Sequence, residues 1–492
     1  MKYKKALEMN DKDVPSLISY RDTTAEAMNR KAVELDTTNV DALNHYALLK
    51  QNIYKDYDQA DEMYKKALEI DGDDISTLIN YGVFVQSIYK DFDRADEFYR
   101  RALKIDGNHV DALTNYAYLQ HTVHHNYNRA ERTYKKVLRI EEEHTDALNK
   151  YGALLQYIRK DYVKAEEMYK RVLLIDEFNV DALMNYGSLY CDAWEDYDKA
   201  EQMYKRSVVN NGDSAVALIS YGNFLMKVRK DYDKAEGMYR MALQIDNNAV
   251  AALCSYANLL QTVRMDYDIA EEMYKKAIGI DEKHIESIIN YGNLLQNVRM
   301  NYDKAEEMYC KALEIDETNI DALVNYGMLL HNIRINYDKA EEMYRKALEI
   351  DKDYVDALAQ YGLLLQNVHG DYDKAGVMYR KILRMDKDNI NVMMRYYMLL
   401  KNDLKEYDHA EEVLLEILKV DEHNVNALVH YAILLDNVKN DYDGAEELYK
   451  KVLEIDENNI DALTSYGLLL QNVRKLDTLA EQMYKKALEN DV

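Results

Sequence analysis

The sequence predicts an all-α protein, an α-solenoid whose antiparallel helix hairpins stack into a superhelix. Two observations carry this. A tyrosine recurs every 35 residues thirteen times, from Tyr46 to Tyr466, so one unit is repeated along the chain. Each period also holds two apolar stripes at helical spacing, separated by a polar turn.

In the copy that starts at Asp321, Leu323, Tyr326, Gly327, Leu330 and Ile333 form one stripe, which ends near Arg334 and Ile335. This is helix A. After the turn "INYD", a second stripe runs through Tyr337, Ala340, Met343, Tyr344, Ala347, Leu348 and Ile350 and stops at "DKDY". This is helix B. Gly327 and Ala340 are small residues among large ones, which lets the two helices approach closely. A hairpin of this kind cannot bury both faces alone, so its neighbours must complete the core.

The helix B alanine occurs fourteen times, from Ala25 to Ala480, and thirteen copies have a full helix A. The expected organisation is a degenerate, truncated N-terminal repeat over residues 1–24 and a continuous solenoid over 25–492. That solenoid opens with a lone helix B at 25–35 and continues as thirteen A/B repeats. Tyr3, Ala6, Leu7 and Met9 match the end of a helix B without a partner, and the helix opened by Pro15 is too short to cover 25–35. An apolar N-terminal face suited to self-association, docking or upstream sequence is expected. At the other end Asn490 stands in the column of Ile315, Ile350 and Ile455, as a polar cap would.

The motifs "ALVNYGMLL" and "YDKAEEMYRKALEID" resemble the tetratricopeptide repeat family, and the likeness covers nearly the whole chain. It departs from that pattern by one extra residue per repeat, by Leu323 where tryptophan is frequent, and by the missing proline after helix B. The extra residue is expected to lengthen the A-to-B turn and alter the rotation between neighbours.

Formal net charge is −26, from 63 Lys plus Arg against 89 Asp plus Glu, so no broad basic footprint is available for nucleic acid. Acids such as Asp303, Glu306, Glu307 and Asp321 stand where helices begin and complement the helix dipole. Cys191, Cys254 and Cys310 are widely separated and suggest neither disulfides nor zinc. The N-terminal "MKYKKALEMN" has no apolar signal core and no long apolar run occurs, so a soluble, cytoplasmic protein without membrane contact is expected.

No catalytic or cofactor motif is present, and no segment is left over for a catalytic domain. The chain reads as non-enzymatic, without cofactor or metal. "DYDKAE" at 231–236 alternates carboxylates but lacks the glycine and glutamate of a calcium loop, and His124 and His125 have no ligand-spaced partner. Three columns hold 36 of the 45 tyrosines, and rings at this spacing are read as core with a hydrogen-bonded tip. The methionine column from Met168 to Met343 is read as adaptable filler.

The helix A face opposite Leu323 and Leu330 carries Asp321, Asn325, Met328 and Asn332. In the resembled family this face lines the groove. Preceding copies present Glu286, Asn290, Asn293 and Asn297, then Ala251, Ser255, Asn258 and Thr262. Asn80, Asn115, Asn185, Ser220 and Asn223 extend the columns toward the N-terminus. An asparagine amide both donates and accepts, so such a ladder suits the main chain of an extended peptide, although each rung has the alternative of bridging helices or facing water. The ladder resembles that of O-linked sugar transferase repeat domains, but only at Asn80, Asn115, Asn185, Asn290 and Asn325, and no transferase domain follows. The family's carboxylate clamp needs helix A lysines where Asp321, Asp356, Val324 and Ala359 stand.

Arg229, Arg264, Arg299 and Arg334 form a basic column expected to pair locally, with acids such as Asp231 and Asp233. Two copies are irregular. Near 205–218, Asn210 enters an apolar column and an Asn-Asn-Gly turn follows, so helix B is expected to end early and leave a weak joint at Val208–Ser214, one hairpin after Trp194. In the copy from Asn391, Tyr397 replaces Gly or Ala, Asp403 enters an apolar column and Leu415 enters a Lys/Arg column. The leading function is a scaffold that binds a protein or extended peptide in its groove. The alternatives are a structural subunit using its convex face and ends, and the targeting part of an enzyme whose catalytic segment lies elsewhere.

Nearest-neighbour stacking predicts that removing one whole 35-residue unit preserves helicity per residue, whereas removing half a unit does not. Circular dichroism of the two deletions checks this, and equal folding would contradict it.

Overall fold

The computed structural model describes Val33 and residues 36–210 and 214–490. The expectations for residues 1–24, for most of the helix at 25–35 and for the turn at 211–213 lie outside the described residues. Among those described there are thirteen helix hairpins and no strand. They fall into two compact units divided between Asn247 and Asn248. Six hairpins make the first, from Val40 to Ile245, and seven make the second, from Val250 to Glu489. In each, hairpins pack in chain order, which is the predicted solenoid arrangement.

Local chemistry explains the boundaries. Asn319 opens helix A at Ile320 by accepting the Ala322 N–H at 3.0 Å, and Asn336 opens helix B, Tyr337–Ile350, by accepting the Lys339 N–H at 3.3 Å. Equivalent Asn, Asp or Ser caps recur along both units.

The extra residue of each repeat is absorbed at the end of helix A. In ten hairpins, for example at Leu330–Arg334, the last turn widens to π geometry, and one residue more than an α-turn fits within it. The next residue, Ile335, is left-handed with φ 55°, and the Asn336 N–H then reaches back to the Leu330 carbonyl at 2.9 Å. All thirteen hairpins place a left-handed residue here, and only Gly370 is a glycine. Each of the others costs about 1 kcal/mol in backbone strain.

The core of a hairpin is a ring on a bare helix. A Cβ added to Gly327 would stand 2.6 Å from Cε1 of Tyr344, and the same holds for Gly82 with Tyr99, Gly222 with Tyr239 and Gly467 with Tyr484. Helix A therefore needs Gly or Ala seventeen residues before each helix B tyrosine. In seven hairpins the phenol tip meets a helix A glutamine of its own hairpin, as in Tyr64 to Gln51 at 3.0 Å and Tyr169 to Gln156 at 3.0 Å. Those seven are the expected core tyrosines with a bonded tip, whereas the buried hydroxyls of Tyr134 and Tyr344 meet no partner among the described residues, because His121 and His331 replace the glutamine.

The irregular copy from Asn391 keeps this packing by exchange. Tyr397 stands in the glycine column, and seventeen residues on, Leu414 replaces the helix B tyrosine. Both are fully buried in one cluster, so the ring has moved from helix B to helix A. Asp403 accepts a hydrogen bond from Gln366 at 2.7 Å, and Leu415 is exposed.

A second recurring contact joins one hairpin to the next. The Tyr326 hydroxyl donates to Glu306 at 3.0 Å, and Arg334 donates to Glu306 at 2.9 Å and Asp303 at 2.5 Å. Tyr221, Arg229, Glu201 and Asp198 repeat the pattern, as do Tyr466, Arg474, Glu446 and Asp443. Lys450 chiefly holds the Glu446 carboxyl below its ordinary range, burial opposes it, and Arg474 adds to the lowering.

Two expectations are corrected here. Arg229, Arg299 and Arg334 do not pair with acids of their own turn. They reach the first turn of the preceding helix B, because the stacked hairpin brings that turn closer than the local one. The column of Ile315, Ile350 and Ile455 is not core either. Ile350 is 46% exposed and Ile455 42%, since this position ends helix B and is only partly covered. An isoleucine there gains only partial burial, and helix B, expected to end early in this copy, runs through Asn210 as Tyr197–Asn210, the length of its counterparts. At the C-terminal copy the Asn490 side-chain amide donates to Asn458 at 3.2 Å.

Burial raises the phenols of Tyr64, Tyr99, Tyr169, Tyr274 and Tyr344 well above their ordinary value and that of Tyr379 to about 12. An unfolded tyrosine ionises near ~10. The stability these groups contribute is therefore complete below that pH and is lost as pH rises through the folded values. Phenolate absorbance and circular dichroism followed together should show most tyrosines ionising only as helicity falls above pH ~10.

Candidate functional site

A polar depression lies on the helix A face. In the second unit, Asn258, Asn290, Asn293 and Asn325 line a depression of about 590 Å³ with Ile285, Glu286, Ile289, Asn319 and Asp321. Three successive A helices bring these residues together, beginning at Val250, Ile285 and Ile320.

Hydrogen bonds fix what each amide has left. The Asn290 NH2 donates to the Cys254 sulfur at 3.6 Å, which leaves its carbonyl oxygen open. Cys254 is buried, and burial pushes its thiol up to about 11, so it remains protonated there. The Asn325 NH2 donates to the Asp321 carbonyl at 2.8 Å and likewise leaves an acceptor. The Asn293 oxygen accepts from the Tyr309 hydroxyl at 2.7 Å and leaves its NH2 to donate. The depression thus offers both acceptors and donors. Tyr354 donates its hydroxyl to the Asp321 carboxylate, which holds one wall in place.

The other sequence-derived residues divide. Ser255 is half-buried, while Asn297 and Asn332 are exposed, and all three lie outside the lining of the depression. In the first unit, the Asn80 amide bridges to Asn44 of the preceding hairpin at 3.1 Å, and Asn223 accepts from the Tyr239 hydroxyl at 2.7 Å. Asn115, Asn185 and Ser220 are half-buried in the same columns. Ile289 and Asn319 were not among the sequence-derived residues. Asn319 carries a helix-cap signal that masks its second position at the rim.

A family model of the tetratricopeptide repeat matches residues 43–74, 287–319 and 320–354. The chain carries tetratricopeptide repeats. Two of the matched repeats supply most of the depression, and the remaining hairpins share their residue columns and their A/B geometry. Among solved structures, the crystal structure of the yeast Tom70 is similar over 90% of this chain and 98% of that one, at 19% identity and a TM-score of 0.44. The APC/C hetero-tetramer Cut9-Hcn1 is similar over 86% of this chain and 94% of that one, at 16% identity and a TM-score of 0.48. No curated protein matches the chain significantly.

Among the described residues, no helix is long and apolar enough to cross a membrane, and no cluster of His, Cys, Asp or Glu is arranged to hold a metal ion.

Proposed function

We propose that the chain is a non-enzymatic protein-interaction scaffold whose second unit grips the main chain of an extended partner segment in the amide-lined depression. The residual hydrogen-bonding capacity carries this reading. Asn290 and Asn325 keep acceptors for peptide N–H groups, and Asn293 keeps a donor for a peptide carbonyl, within one depression. Ile285 and Ile289 supply apolar surface beside them. Tetratricopeptide repeats support such a role in general terms.

Screening extended peptides against the intact chain tests it. Asn290→Ala with Asn325→Ala should weaken a bound peptide by roughly thirtyfold, as expected for two lost hydrogen bonds of about 1 kcal/mol each. Leu415→Asp, on the exposed helix B surface, should leave it unchanged. The reverse pattern would favour a structural subunit that assembles through its outer face.

A further inference from the structure

The exchange of Tyr397 and Leu414 leaves a residue without its usual partner. At the helix A position where Gln51, Gln86, Gln156, Gln261, Gln296, Gln366 and Gln471 accept a helix B phenol, this hairpin carries Lys401, and helix B offers only Leu414. Lys401 is half-buried, and its ammonium lies 5.7 Å from the centre of the Tyr397 ring. No carboxylate pairs with it among the described residues. Burial alone pushes its ammonium below the ordinary lysine value, with no acid drawing it back.

On the next helix A, His430 stands 5.3 Å from the same Tyr397 ring, centre to centre, and its buried Nδ1 meets no partner. The Tyr397 hydroxyl is also buried and unpartnered. Burial lowers the His430 imidazole most, Lys401 lowers it further, and Asp461 opposes them. A desolvated cation beside a second nitrogen without an acceptor is costly until an anion arrives, all the more unusual in a chain with net charge −26.

We propose that Lys401, with His430 beside it, binds an oxyanion, the chemistry shared by a carboxylate and a phosphate. Such a group would accept from the Lys401 ammonium and from the imidazole, and its charge would offset the desolvation of both. His430 stands in the same helix A column as Asn325, but the proposal does not rest on peptide binding at the amide depression.

The test follows the His430 ring protons by NMR in the intact chain. Two probes are used, inorganic phosphate and a peptide of alternating Glu and Ser, each against chloride at matched ionic strength. Either probe should shift His430 saturably and raise its pKa. Lys401→Gln introduces the residue found in seven of the other hairpins and should keep the helicity, yet weaken binding about tenfold or more, the scale of one charge-assisted hydrogen bond. Lys401→Arg should retain binding, and Asn290→Ala should not affect it. Tighter phosphate binding would assign a free or phosphoryl oxyanion, and tighter peptide binding a partner's carboxylate. No saturable shift with either probe, or an equal shift in Lys401→Gln, would overturn the proposal.

Discussion

The seat of a helix B tyrosine on a bare patch of helix A is the contact on which the rest of the structure depends. A side chain added at Gly82, Gly152 or Gly327 would intrude to within 2.5–2.6 Å of the ring opposite. The ring can be buried there only because the two backbones come close. In seven hairpins its hydroxyl then reaches a helix A glutamine, which ties the two helices at a second point. Position 397 shows that the requirement is one ring per hairpin rather than a tyrosine on a given helix. The same exchange strips Lys401 of the partner that its column otherwise supplies.

Stacking between hairpins depends on a different chemistry. A helix A tyrosine and an arginine or lysine converge on a glutamate of the preceding helix B, with an aspartate one turn earlier completing the set. Such partly exposed pairs contribute little each and are weakened by salt, yet they set register at joint after joint. Many of the acids behind the net charge of −26 are occupied in this way. Asn290, Asn293 and Asn325 on the A helices keep hydrogen-bonding capacity where they meet.

Much of the fold was legible in the sequence because period, cap and small-residue position are each local signals. The stripe beginning at Tyr337 and ending at Ile350 is the observed helix B, and Gly327 packs as its size implied. The π turn was not legible, since an i→i+5 bond has no residue signature and the left-handed position is held by Lys, His, Glu, Met, Ile and Asn. Ile350 misled because its spacing is that of a core residue, whereas exposure at a helix end depends on where the neighbour stops. The partners of Arg229, Arg299 and Arg334 lie 28 to 31 residues back, beyond any local pattern. The candidate site was legible as a column of amides, but tyrosine hydroxyls and neighbouring helices take part of it, and only the structure shows which faces of Asn290, Asn293 and Asn325 remain.

The exchanged hairpin allows the central contact to be measured directly, by a double-mutant cycle with Tyr397→Gly and Leu414→Tyr in the intact chain. Tyr397→Gly alone should empty the seat and cost about 3 kcal/mol or more, and Leu414→Tyr alone should overpack it at a cost of about 1–3 kcal/mol. Together they rebuild the arrangement of Gly327 and Tyr344, so chemical denaturation of the double variant should return close to the parent. Costs that simply add would contradict the claim that one buried ring against one bare position holds each hairpin together.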